Sequence, residues 1–303
     1  MGESRIRFKM SYKWEMRQLR SSLTIMLCLL PAMLAAAGTT HMLISTESLS
    51  SQLADPSLVV LHVGTPKDYE AGHIPGARLL TLADISITDD RGMRLQLPSV
   101  EALRDAFGKL GISDTSTIIV YPAGESIQSA TRVWFTLDYL GLGLRTSLLD
   151  GGLLLWKSEN RPLSTEIPAV TPATFTAHPR PELVVDADWV HSKLGEPGFQ
   201  LYDARLPEFY NGTNAGNMPR AGHIPGAVNV PYVSLVDESR KFKSTEELKT
   251  LMHAKDSSPV VTYCHIGQQA TVLYFTARYL GLDAKLYDGS FQDWSSRPEL
   301  PLQ

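Results

Sequence analysis

Cysteine is nearly missing from this chain: 303 residues carry two, Cys28 and Cys264. Cys28 lies in an apolar stretch near the start, so a chain cut beyond it keeps Cys264 alone. One thiol forms no internal disulfide and builds no thiolate metal site. An excess of positive charge is also missing. Lys and Arg number 28 against 32 Asp and Glu, a net charge of −4, which attracts neither nucleic acid nor an anionic membrane. A membrane-spanning run is missing too: residues 23–34 are apolar, but a spanning helix needs ~20 residues.

Arg5, Arg7, Lys9, Lys13, Arg17 and Arg20 precede that apolar run, and Ala35-Ala36-Ala37-Gly38 follows it. A basic start, a short apolar centre and small residues at the end form the pattern of a secretory signal peptide over residues 1–37. A retained anchor helix is the rival reading. Cys28 precedes the small residues, so it is not a lipoprotein anchor. Cleavage leaves 22 basic residues (28 less 6) against 30 acidic (32 less 2), or about −8. The expectation is an exported protein, periplasmic or secreted, with no membrane contact after cleavage.

What the chain does have is an internal repeat. Gly-His-Ile-Pro-Gly-Ala occurs at residues 72–77 and again at 222–227. Residues 134–142 are echoed by 274–282, and Asp150-Gly151-Gly152 with Trp156 by Asp288-Gly289-Ser290 with Trp294. Three echoes in one order mean a duplicated domain, and the length suits two domains of ~100–200 residues. The first is expected over 41–163 and the second over 183–303. Prolines 162, 168, 172, 179 and 181 make 164–182 an extended linker.

In the first half, Ser45 or Thr46 suits a helix cap, residues 58–63 and 118–121 read as strands, and 99–107 and 131–140 as helices. In the second half, 184–194, 245–253 and 270–280 read as helices, and 200–203 and 259–263 as strands. Strands alternating with helices imply an α/β protein with helices on both faces of a parallel sheet. The second half carries an extra loop, 211–220, whose Asn211-Gly212-Thr213 is a glycosylation sequon only in a eukaryotic secretory route.

The copies differ where chemistry would sit. Cys264 ends a strand and precedes a helix by six residues, whereas the first half has Pro122 at that place. A loop of this length turns successive N–H groups inward at a helix start, which would lower the thiol pKa towards neutrality and activate the nucleophile. The bland alternative is a buried structural Cys, but His265, Gly267, Gln268 and Gln269 are poor core. Cysteine phosphatases need an Arg six positions after the Cys to clamp phosphate; here that position is Ala270.

The paired GHIPGA motifs, the loop Cys264-His265-Ile266-Gly267-Gln268-Gln269, the segment 289–294 and Asp203-Ala204-Arg205 together resemble the two-domain rhodanese family of thiosulfate and mercaptopyruvate sulfurtransferases. The likeness covers nearly the whole chain after residue 41. It implies two tandem rhodanese-like domains, each a small doubly wound parallel sheet flanked by helices. It also implies that Cys264 takes a sulfur atom from a small donor and passes it to a thiophilic acceptor such as cyanide, a small thiol or a protein thiol, with no metal or other cofactor. Arg205 carries over as an anion-binding residue facing the loop, Asp203 as a residue fixing local geometry, and the loop 265–269 as the substrate cradle. Family members that use thiosulfate place basic residues after the Cys, and those that use mercaptopyruvate place Gly and Ser. His265-Ile266 fits neither, which leaves the donor open. Arg220 is either a source of missing charge or a solvated loop residue. The first half has His62-Val63-Gly64 in place of Asp203-Ala204-Arg205, so its job is structural. His73, His223, Trp156 and Trp294, present in matching places in both halves, are packing residues. A sulfur carrier serving a protein partner and a silent module are the alternatives to an enzyme.

Overall fold

The structure, a computed structural model, describes residues 1–2, 42–253 and 259–303. The expected signal segment, apart from its first two residues, lies outside the described residues, as does the expected start of the first domain at His41. Among the described residues no helix is long and apolar enough to cross a membrane.

The first half runs β1 (Leu43–Ile44), α1 (Thr46–Gln52), β2 (Leu58–Val63), α2 (Pro66–Glu70), β3 (Arg78–Leu80), α3 (Val100–Lys109), β4 (Thr117–Pro122), α4 (Ile127–Tyr139), β5 (Thr146–Leu149) and α5 (Gly152–Ser158). The second runs β6 (Val184–Val185), α6 (Ala187–Lys193), β7 (Gln200–Asp203), α7 (Pro207–Tyr210), β8 (Val228–Asn229), α8 (Thr245–Met252), β9 (Val260–Tyr263), α9 (Ala270–Tyr279), β10 (Ala284–Tyr287) and α10 (Ser290–Ser296). The two sheets have the same strand order, β1-β5-β4-β2-β3 and β6-β10-β9-β7-β8, and all their pairings are parallel. Residues 165–180 carry no helix or strand.

Strands covered on both faces must be apolar at successive positions. In β2, Val59, Leu61 and Val63 face one core with Phe107 of α3 and Val133 of α4, while Val60 joins Leu49 of α1 and Trp156 of α5 on the other face. The second sheet repeats this, with Tyr263, Tyr287 and Trp294 on its outer side. The inner faces of the two halves merge into one cluster, where Phe135 of α4 meets Tyr274 of α9 edge to face at 4.9 Å and Trp134 meets Phe275 at 4.9 Å.

The expectation of a helix opening at Val184 is corrected: Val184 and Val185 pair with Leu286 and Tyr287 as an edge strand. The helix starts after Asp186, whose side chain accepts the Trp189 N–H as its cap. Ser45 caps α1 by accepting from the Ser48 N–H, as its sequence position suggests.

The repeated GHIPGA motif is a clasp. In the first half Tyr121 Oη accepts the Ile74 N–H at 3.1 Å, Tyr69 Oη donates to Ala77 O, and the His73 ring stacks on Tyr69 at 3.7 Å. In the second, Tyr263 Oη accepts from Ile224 at 3.2 Å, Tyr210 Oη donates to Ala227 O, and His223 stacks on Tyr210 at 3.8 Å. Both histidines therefore pack and pin the turn. Trp156 and Trp294 are 0% exposed and donate to Pro162 O and Pro301 O.

Candidate active site

Cys264 sits at the C-terminal end of β9, the central strand of the second sheet, where ligands bind in open α/β folds. The chain then turns through residues 265–269 into α9. The N–H groups of Ile266, Gly267 and Ala270 point at the Cys264 sulfur. Gly267 has φ +81°, and a Cβ there would lie 2.7 Å from Asp288 O, so no other residue fits the cradle without displacing backbone. The rest of the loop is laced to the turn before α10: Phe291 N–H donates to Cys264 O and Gln292 N–H to His265 O, both at 2.9 Å.

Ser290 secures the strand end. Its Oγ accepts the Cys264 N–H at 3.2 Å and donates to Tyr287 O at 2.9 Å, and it holds φ +53° although it is not glycine. The first half explains why. Gly152, the twin of Ser290, has φ +55° and lies against Pro122, the twin of Cys264. Proline has no N–H to satisfy, so glycine suffices there; a cysteine needs the acceptor, and the serine supplies it despite the strained backbone.

Arg205 is 1% exposed and Asp203 0%. Its Nε lies 3.0 Å from both Asp203 oxygens and its Nη2 2.6 Å from Oδ2, and Nη2 also donates to Gly222 O. The guanidinium lies over the Phe291 ring at 3.9 Å. Burial works against its charge, but Asp203, then Tyr263 and Cys264, together outweigh burial and hold Arg205 above its ordinary pKa. Its Nη1 makes no hydrogen bond among the described residues. Asp203 also accepts the Arg205 N–H at 2.9 Å.

The expectation of an acidified thiol is corrected. Cys264 is 1% exposed, and burial pushes its pKa up more than the three loop N–H groups bring it down; Asp203 adds to the rise. His265 packs edge to face on Phe209 at 4.6 Å. Burial, then Arg205, lowers its pKa, so it is a neutral imidazole. A Cβ on Gly216 would lie 2.9 Å from His265 Nε2, which seats the loop 211–220 against the cradle. His265 Nε2 and Gln269 Oε1 are buried without hydrogen-bond partners. Gln268 Nε2 donates across the domains to Ser129 Oγ at 3.2 Å. Ile266 contributes its N–H to the sulfur cradle.

Arg220 is not at this site; it is half-buried and bound to backbone. Its three guanidinium nitrogens donate to the carbonyls of Trp294, Ser295, Arg297 and Leu300, tying the chain after α10 to the turn. Arg132 of α4 and Ser290, both at the loop, are residues sequence reasoning missed; the Gly152–Ser290 difference between the repeats was the available signal for the second.

The first half differs physically at the matching place. His62 takes the place of Asp203, is 0% exposed, and meets Tyr121 Oη at 3.0 Å; burial drives its pKa down to about 4. A Cβ on Gly64 would lie 2.5 Å from the Ala123 side chain, so nothing like Arg205 fits. Among the described residues, no group of three or more His, Cys, Asp or Glu is placed to hold a metal.

The fold and the loop define a duplicated α/β protein with a cysteine loop in the second half and Pro122 at the matching place in the first. The Rhodanese-like domain family matches residues 45–159 and 186–297, and the chain belongs to that family. It is 30% identical to the thiosulfate sulfurtransferase of Azotobacter vinelandii over 86% of this chain and 97% of that one. It is 33% identical to the sulfur carrier protein TtuD of Thermus thermophilus over 86% and 96%. The crystal structure of SseA from Escherichia coli, reported for the "Rhodanese" fold and catalytic mechanism of 3-mercaptopyruvate sulfotransferases, superposes with a TM-score of 0.73 at 29% identity, covering 82% of this chain and 98% of that one.

Proposed function

We propose that the protein is a rhodanese-type sulfurtransferase with Cys264 as the sulfur carrier. The observation that carries this is the ring of three N–H groups, from Ile266, Gly267 and Ala270, around the sulfur of the lone Cys264. Such a ring has no use for a structural cysteine but stabilises a thiolate, or the terminal sulfur of a persulfide, in a water-poor site. The Cys264 thiolate attacks the outer sulfur of the donor, an S–S bond forms, and the donor's bond to that sulfur breaks with its electron pair. With thiosulfate the leaving group is sulfite; with mercaptopyruvate it is the enolate of pyruvate, which takes up a proton. Cyanide or a thiolate then attacks the terminal sulfur and releases the Cys264 thiolate.

Arg205 Nη1 orients the donor's anionic group, while Asp203 keeps the guanidinium in place. With Arg205 matched by Asp203 and His265 neutral, the site offers little net positive charge, so the donor is either thiosulfate or mercaptopyruvate bound largely by N–H groups. A protein thiol as acceptor is the second reading, supported by the likeness to a sulfur carrier. The basic-apolar-small order of residues 1–37 supports export to the periplasm or beyond.

The test is the intact mass of the protein lacking residues 1–37, before and after incubation with thiosulfate and, separately, with mercaptopyruvate. One added sulfur on Cys264, removed by cyanide, is the expected result and identifies the donor. No addition from either donor, nor from glutathione persulfide, would refute the proposal.

A further inference from the structure

The first domain has no nucleophile, yet it inserts a charged side chain beneath the live loop. Arg132, on α4, is 0% exposed. Its Nη1 donates to Gly267 O at 3.1 Å and to Asp288 Oδ1 at 2.5 Å, and its Nη2 donates to Leu95 O at 2.7 Å. Gly267 is one of the three residues whose N–H groups point at the Cys264 sulfur. The guanidinium thus holds the carbonyl of a residue whose amide faces the nucleophile.

The duplication supplies an internal control. Thr131 and Thr271 are twins, and their hydroxyls meet across the interface at 2.8 Å. The next residue is Arg132 on the first-domain side and Val272 on the other. Each domain also clamps the other through twin aspartates: Leu97 N–H donates to Asp288 Oδ2 at 3.1 Å, and Phe242 N–H donates to Asp150 Oδ1 at 2.9 Å. These clamps are symmetric, so docking the domains needs no guanidinium. The cation appears only opposite the loop that retains a cysteine, and Val272 stands opposite the loop that lost one. Asp150, without a guanidinium, is held up at about 6 by burial.

We propose that Arg132 is a positioning residue for sulfur transfer, supplied across the domain interface: by fixing the Gly267 carbonyl and Asp288 it sets the curvature of the Cys264 loop. The first domain then completes the active site rather than merely covering it. This rests on the sulfurtransferase reading for its kinetic arm, but its chemical arm, the reactivity of Cys264, does not.

The test compares Arg132→Met, Arg132→Lys and the double variant Arg132→Met/Asp288→Asn with the unaltered protein. The double variant leaves no buried carboxylate unpaired, so it keeps the fold where the single variant weakens it. Three readings are taken: kcat and KM for the donor, iodoacetamide alkylation of Cys264 against pH, and thermal unfolding. In both Met variants kcat is expected to fall on the order of 10- to 100-fold, with KM changed far less, because a small displacement of the reacting group is enough. The alkylation profile is expected to move to higher pH by about half to one unit, the equivalent of one weakened hydrogen bond to the thiolate. Arg132→Lys is expected to recover part of both. A double variant with unaltered kcat and alkylation profile would overturn the proposal, as would a single-variant loss that follows only the unfolding temperature. If the unaltered protein takes up no sulfur, the enzymatic reading fails, while the alkylation profiles still decide the role of Arg132.

Discussion

Ser290 offers a test in which two effects oppose each other and the order of outcomes is fixed in advance. Its Oγ accepts the N–H of Cys264, and its φ of +53° is strained for any residue with a Cβ. Ser290→Ala keeps the strain and leaves a buried N–H unsatisfied, a cost of about 1–3 kcal/mol. Ser290→Gly loses the same acceptor but relieves ~1–2 kcal/mol of backbone strain, less ~0.5–1 kcal/mol for the greater freedom of glycine in the unfolded chain. The alanine variant should therefore lie lowest, with glycine about 0.5–1 kcal/mol above it. At roughly 2–4 °C per kcal/mol for a protein of this size class, the two are separable by thermal unfolding and by guanidinium titration followed by circular dichroism. Sulfur uptake should slow in both, since the strand end that carries the nucleophile loses its anchor. An alanine variant as stable as the unaltered protein, or more stable than the glycine variant, would refute the account of why serine occupies this position.

Cys264→Ala should retain the fold and gain no sulfur mass with any donor; transfer that survives would place the nucleophile elsewhere. Arg205→Ala leaves the 0% exposed Asp203 carboxylate without its guanidinium, so a loss of about 3–5 kcal/mol is expected together with poorer donor use, and a thermal shift equivalent to less than 1 kcal/mol would contradict the buried pair. Burial raises Asp150 to about 6, so the fold favours its protonated form: the stabilisation is complete below about pH 4 and is lost as pH rises through about 6. Asp150→Asn keeps an acceptor for Phe242 N–H and should flatten that slope in denaturation curves measured from pH 4 to 7; an unchanged slope would assign it to other groups.

The strands visible in the sequence are those buried on both faces, 58–63 and 259–263, because continuous apolar runs have few other uses. The edge strands Leu43–Ile44, Val184–Val185 and Val228–Asn229 have two residues each and exist only because a parallel neighbour pairs with them, which no local pattern records. The cysteine loop was legible because polar residues after a buried strand make poor core. Its burial was not, and burial is what reverses the expected direction of the Cys264 pKa. Arg132 contacts Gly267 from 135 positions away, and the four carbonyls held by Arg220 lie at the end of α10 and just beyond it, brought to Arg220 only by the fold. Side chains of that kind take their meaning from tertiary neighbours, so type and spacing leave them unassigned.

The merged inner core has a consequence for what each half is free to become. Phe135 and Tyr274, 0% exposed and ring against ring, belong to different copies of the repeat but to one cooperative unit, so unfolding should be a single transition in which neither half melts first. A silent copy elsewhere in a chain could drift without penalty. This one can drift only on its outward side, because a cavity at Phe135 would empty the second half of its folded population as surely as a cavity beneath the cysteine.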